Sequence, residues 1–221
     1  MHIPFLSSML LATLILLVIA LLTTERLIRR HHRQKVDFFN HNPIQPGDIV
    51  FLGDSITDGA RWHELFPDLP VRNRGINADT TSGVFNRLGD ITAGQPAAVC
   101  LLIGTNDLPW FLFRQNADII DAHERILKRL QSETPQTKVF VQSILPRERR
   151  YAKRILALNN QLESLAGQYG CTYINLFPHF ASPNGGIRPD FTNDNLHLMA
   201  AGYACWVEIL KPHLYNLKHN S

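Results

Sequence analysis

The sequence predicts a three-layer α/β/α sandwich around a mostly parallel five-stranded sheet, preceded by one transmembrane helix. Three observations carry this prediction. Four short apolar runs recur along the chain, each the length of a strand buried on both faces, with a shorter fifth candidate between the first two. Segments with helical spacing separate them, as crossovers between parallel strands require. The first 24 residues hold a long uncharged stretch. The 221 residues suffice for one such domain and not for two.

From Ile3 to Thr24 no residue is charged, and Met9 to Leu22 is almost continuously apolar. At 1.5 Å per residue, about 20 residues cross a hydrocarbon core of roughly 30 Å, so residues 1–24 are expected to span a membrane. A cleaved signal peptide would show a basic leader, a shorter apolar core and a small-x-small cleavage site. Here only the amine and His2 precede the run, and Leu-Leu-Thr-Thr-Glu follows it.

Arg26, Arg29, Arg30, Arg33 and Lys35 then stand against Glu25 alone. Such a flank favours the cytoplasmic side, which makes the expected product a single-pass protein with a cytoplasmic domain. His31 and His32, set among these cations, read as part of that topology signal rather than as metal ligands. Residues 25–47 are expected to form a basic juxtamembrane segment and a tether, with Pro43, Pro46 and Gly47 at its end, and residues 48–217 the domain. The formal charge of +3 divides into +4 over residues 1–36 and −1 over the remainder. The domain is therefore not basic, and nucleic acid is not an expected partner. Cys100, Cys171 and Cys205 are widely spaced and lack C-x-x-C, so they read as small core hydrophobes in a reducing compartment.

Within the domain, Ile49–Leu52 is the first strand and Val71–Ile76 a shorter second. Val99–Ile103, Lys138–Leu145 and Cys171–Phe177 follow. Helical spacing runs over Asp118–Gln131, with Ile119, Ile120, His123, Ile126, Leu127 and Leu130 on one side. It recurs over Tyr151–Gln168, with Ile155, Leu158, Leu162 and Leu165, and over Leu198–Leu210. Parallel sheets bind ligands at the carboxyl ends of their strands. There the first strand enters Gly53-Asp54-Ser55-Ile56-Thr57, the second Gly75-Ile76-Asn77 and the third Gly104-Thr105-Asn106-Asp107. Asp194-Asn195-Leu196-His197 lies near the C-terminus. A serine, a base, an orienting acid and oxyanion donors are thus available together. Singly, Ser55 or Asp194 also fits a helix cap, and Asn106 and Asp107 fit turn formers. Four such segments in this order at one sheet edge favour the chemical reading.

These four segments resemble the signature blocks of the SGNH hydrolase family, the GDSL-type esterases and lipases, over residues 48–210. The resemblance implies a flavodoxin-like fold and hydrolysis of a small-molecule carboxylic ester: a lipid, a short acyl ester or an acetylated sugar. It implies Ser55 as nucleophile, His197 as base and Asp194 as the acid orienting it. The N–H groups of Ser55 and Gly75 and the Asn106 amide would form the oxyanion hole. No metal or organic cofactor is called for. Two positions depart from the pattern: Ala78 and Asn195 stand where glycine is frequent. If the first requires a positive φ, the loop at Ala78 is slightly different here, whereas asparagine at 195 is a mild change because it tolerates the left-handed region.

The apolar segment Leu108-Pro-Trp-Phe-Leu-Phe113 beside the third block makes Trp110 and Phe111 candidate substrate-binding residues, in an acyl pocket or toward the membrane. Core packing of Trp110, Phe111 and Phe113 is the competing reading. Arg147-Glu148-Arg149-Arg150 fits an anionic head group or a solvated loop. Two other functions use the same cleft: a silent relative that binds an acylated or carbohydrate ligand, and an acyltransferase with an acceptor other than water.

Overall fold

The computed structural model describes residues 3–109 and 112–219, with side chains over 9–109 and 112–217. It divides into two units, residues 1–41 and 42–221. The first is helix α1 (Ile3–His41), 39 residues long. It is long and apolar enough to cross a membrane, a test that a signal sequence also passes. The expected tether is helical as far as His41. No glycine or proline interrupts residues 5–42, and Pro43 disfavours helix at the residue before it. Only 42–47 then remain as a non-helical link.

The second unit is built on five parallel strands: β1 (Ile49–Gly53), β2 (Val71–Gly75), β3 (Ala98–Leu102), β4 (Lys138–Gln142) and β5 (Thr172–Ile174). Their order is β2-β1-β3-β4-β5, all pairs parallel. Strand residues alternate between two faces. Phe51, Cys100, Leu102 and Phe140 face one core, with Trp62 and with Trp206, Leu210 and Leu214 of the C-terminal helix α9 (Ala200–Tyr215). Val50, Leu52, Val99, Leu101, Val139 and Val141 face the other, under α4 (Thr81–Asn86), α5 (Gly89–Ala93) and α6 (Asn116–Glu133), with Leu165 and Ala166 of α7 (Ala152–Gln168). Burial on both faces explains why β1, β3 and the centre of β4 read as continuous apolar runs, while the edge strands β2 and β5 are only partly buried.

Three short helices complete the layers: α2 (Ser55–Asp58), α3 (Trp62–Leu65) and α8 (Phe177–Phe180). They, α4 and α5 are too short to show a helical period in the sequence. β4 and β5 end before the expected Leu145 and Phe177. Beyond Gln142 the chain continues as a loop, fixed by Asn159, which accepts from Ile144 N–H and donates to Ile144 O. The chain leaves β1 for β2 on one side and then crosses to β3 on the other. β1 is therefore the switch point, where the loops at the carboxyl ends diverge and leave a crevice.

Candidate active site

Ser55 lies one residue beyond the turn that ends β1. Serine at the start of a helix usually caps it, but here Asp54 takes that role, with Oδ1 accepting Ile56 N–H at 3.0 Å. Ser55 is therefore the first residue of α2, and its Oγ lies 3.0 Å from His197 Nε2. His197 Nδ1 lies 2.6 Å from Asp194 Oδ2. The three expected catalytic residues thus meet, although 142 positions separate Ser55 from His197.

Asp194 does not cap α9, which begins after Met199. Its Oδ1 instead accepts the N–H groups of Leu196 (2.9 Å) and His197 (2.8 Å), and the Thr192 hydroxyl at 3.2 Å. Asn195, between them, adopts φ +63°, the left-handed conformation that asparagine tolerates and that closes this tight turn. Partial burial opposes ionisation of Asp194. The bonds from the His197 ring and from the two N–H groups outweigh it and hold the carboxyl down at about 2. An anionic Asp194 places the proton on Nδ1 and leaves Nε2 as an acceptor facing the Ser55 hydroxyl. The His197 and Asp194 side chains are 47% and 46% exposed, so the site is open to solvent.

Gly75 is buried, and its N–H donates to Asn73 Oδ1 at 2.9 Å. A side chain there would collide with Asp58 N and lie 2.8 Å from Asp54 O, so glycine is required where β2 abuts α2. The N–H expected in the oxyanion hole is thus already engaged. In the same loop, Ala78 is exposed at φ +62°, and its N–H has no acceptor among the described residues. The loop does require a positive φ at this position, and alanine adopts it. Asn106 sits in a 3-10 turn after β3, with Nδ2 donating to Asp79 O at 2.9 Å. Its other amide hydrogen is available to a ligand.

Several residues tie these turns together through partners that the sequence does not reveal, Asp107 and Arg147 among them. Buried Asp107 accepts Thr81 N–H (2.9 Å) and Thr81 Oγ1–H (3.1 Å), and lies 3.3 Å from Arg114. Arg147 donates to Thr105 O at 3.1 Å, pairs with Glu148 and lies over the Tyr151 ring. That makes it a clamp on the third turn, whereas Arg149 and Arg150 are exposed. Asp79 and Arg87 form a buried ion pair at 2.7 Å. Burial, with Asp79 and Asp107 nearby, pushes the Asp54 carboxyl up to about 7 against the bond from Ile56 N–H. Single charged residues in an otherwise apolar pattern carry no periodic signal, and only their shared partners reveal what they do.

Trp110 and Phe111 lie outside the described residues. Leu112 and Phe113, which follow them, are 41% and 78% exposed, so Phe113 is not a core residue. Cys100 is buried, and Cys171 and Cys205 are part-buried.

A parallel sheet of this order, with three polar turns and a Ser-His-Asp contact chain at its carboxyl edge, defines the three-layer α/β/α fold of the SGNH hydrolases. The GDSL-like lipase/acylhydrolase family profile matches residues 51–205, and the chain belongs to that family. It is a hydrolase acting on esters. It is 30% identical over 184 residues to platelet-activating factor acetylhydrolase IB subunit alpha1 of Rattus norvegicus, covering 78% of this chain and 75% of the relative. A Streptococcus pneumonia protein described as a candidate platelet activating factor superposes with a TM-score of 0.81 at 26% identity. The match covers 90% of this chain and 99% of that one. A GDSL-like lipase from Bacteroides thetaiotaomicron shares the fold, with a TM-score of 0.73 at 22% identity over 86% and 97% of the two chains.

Proposed function

We propose that the protein cleaves a carboxylic ester through an acyl-enzyme on Ser55. The observation that carries this reading is the contact chain from Ser55 Oγ through His197 to Asp194, at 3.0 and 2.6 Å. His197 Nε2 takes the hydroxyl proton as Oγ attacks the ester carbonyl, then gives it to the leaving alkoxide. Asp194 fixes the tautomer and stabilises the imidazolium. Water, activated by the same imidazole, releases the acid.

The oxyanion is held by the Ser55 N–H, the Asn106 amide and a backbone N–H of the β2 loop, each donor typically worth about 3 kcal/mol. The last of these is assigned to Ala78, because the Gly75 N–H is engaged by Asn73. The acetylhydrolase relatives favour a short acyl group. The exposed Leu112 and Phe113 suit an apolar leaving group or a lipid surface at the rim, and Trp110 and Phe111, which precede them in the sequence, are candidate contacts.

The proposed organisation is a span within residues 1–24, a basic helical continuation, and a domain over 48–217 on the cytoplasmic side. The test uses the full chain in detergent with p-nitrophenyl acetate, butyrate and octanoate, together with fluorophosphonate labelling. Turnover with one label on Ser55 is expected, fastest on the shorter esters. A folded chain that neither turns over nor labels is a ligand binder instead. Protease digestion of oriented vesicles checks the topology, and cleavage of the domain from the non-cytoplasmic face would reverse it.

A further inference from the structure

We propose that Arg87 is a positioning residue that holds the oxyanion-binding turns in one frame, an inference that rests on the esterase reading above. Its guanidinium is buried, 5% exposed, at the end of α4. Nε donates to Asp79 Oδ2 at 2.7 Å, and Nη2 donates to Gly53 O at 3.0 Å and to Arg74 O at 2.9 Å. Gly53 lies two residues before Ser55. Asp79 directly follows Ala78, and its main-chain oxygen accepts the Asn106 amide at 2.9 Å. One side chain thus reaches, directly or through Asp79, each of the three segments that carry the Ser55 N–H, the Ala78 N–H and the Asn106 amide.

The chemistry of the position calls for arginine. A planar fork with donors at fixed angles can meet a carboxylate and two carbonyls at once, whereas an ammonium is a point charge on a flexible stem. Two of the contacts also fall on Gly53 and Arg74, among the last residues that strand pairing fixes. The β1–β2 ladder ends at Gly53 and Gly75, and Arg87 binds at that end, where the two loops diverge. Packed apolar residues of the same volume can hold a core as well as a buried ion pair does. What the fork adds here is direction, and oxyanion donors need their positions fixed to about 0.5 Å.

The test compares the full-length chain with Arg87→Lys. The expected result is a kcat about 10- to 100-fold lower, with KM within about threefold and fluorophosphonate still attached to Ser55. In an Asn106→Ala background the same substitution should cost at least about threefold less, because one of the groups it aligns is gone. An unchanged kcat, a loss carried by KM, or an equal loss in both backgrounds overturns the proposal.

If Arg87→Lys does not fold, the paired replacement Arg87→Gln with Asp79→Asn removes both charges together and carries the same expectations. Failure of both to fold assigns Arg87 to stability alone and overturns the positioning role. A wild-type chain that does not label at Ser55 is a different failure. It sinks the esterase reading, and this inference with it, before any Arg87 variant is made.

Discussion

Asp54 and Ser55 are chain neighbours with divided tasks: Asp54 Oδ1 closes the first turn of α2 on Ile56 N–H, and Ser55 Oγ faces His197 Nε2 at 3.0 Å. Because the aspartate takes the cap, the serine hydroxyl makes no capping bond and can serve as the nucleophile. Replacing Ser55 by alanine should therefore leave the helix start intact. The expected outcome is an unchanged thermal midpoint within a degree or two, no fluorophosphonate label, and hydrolysis lower by about a thousandfold or more. Residual labelling elsewhere on the chain at the wild-type rate would point to another nucleophile.

Asp194→Asn separates orientation from folding. The side chain is nearly half exposed, so the amide costs the fold little. It cannot, however, stabilise the imidazolium, and it can hold the wrong tautomer, so kcat should fall by about three to four orders of magnitude. The Asp194 carboxyl sits near 2, below its ordinary value of 3.8. Its contribution to stability is thus whole above about pH 4 and lost as pH falls toward 2. Chemical denaturation at pH 3 and pH 6 should show a smaller difference for Asp194→Asn than for wild type. A wild-type rate in this variant would remove Asp194 from the mechanism.

Asp54 has the opposite sign. Its carboxyl is raised from 3.8 to about 7 by burial, so proton binding favours the folded state. That contribution is whole below about pH 4 and disappears as pH rises to about 7. The linked change has an upper bound of about 4 kcal/mol. Asp54→Asn keeps an oxygen for Ile56 N–H and cannot ionise. Urea midpoints measured from pH 4.5 to 8 should therefore decline less steeply for the variant than for wild type. Identical slopes would show that Asp54 does not titrate in this window.

The central strands were legible because burial on both faces writes β1, β3 and the middle of β4 as continuous apolar runs, the polar edge strand Val71–Gly75 less so, and α6 and α7 because each buries one stripe of a long helix. The Ser55, Asp194 and His197 contact chain was legible because its residues stand in short segments at the ends of those elements. The oxyanion loop was less so. Whether Gly75 or Ala78 offers its N–H depends on where the Asn73 side chain points, and Asn73 is one residue among many that could bond locally. The end of α1 was missed for a related reason. Charged and aromatic residues from Arg26 to His41 satisfy a helix as well as a tether, and only Pro43 excludes one of the two.

Ala78 offers a final check on that loop. Its φ of +62° places an L-residue in the left-handed region, at a cost of roughly 1–2 kcal/mol. Glycine adopts the same conformation freely, although it also gains freedom in the unfolded chain. The two effects leave a net gain of up to about 1 kcal/mol, so Ala78→Gly should raise the thermal midpoint by about 2–4 °C. The N–H assigned to the oxyanion is unchanged by this substitution, and kcat should stay within about threefold. A lower midpoint would mean that the loop is held without strain at this position. A large loss of kcat with a raised midpoint would mean that the alanine methyl, rather than the backbone alone, shapes the site.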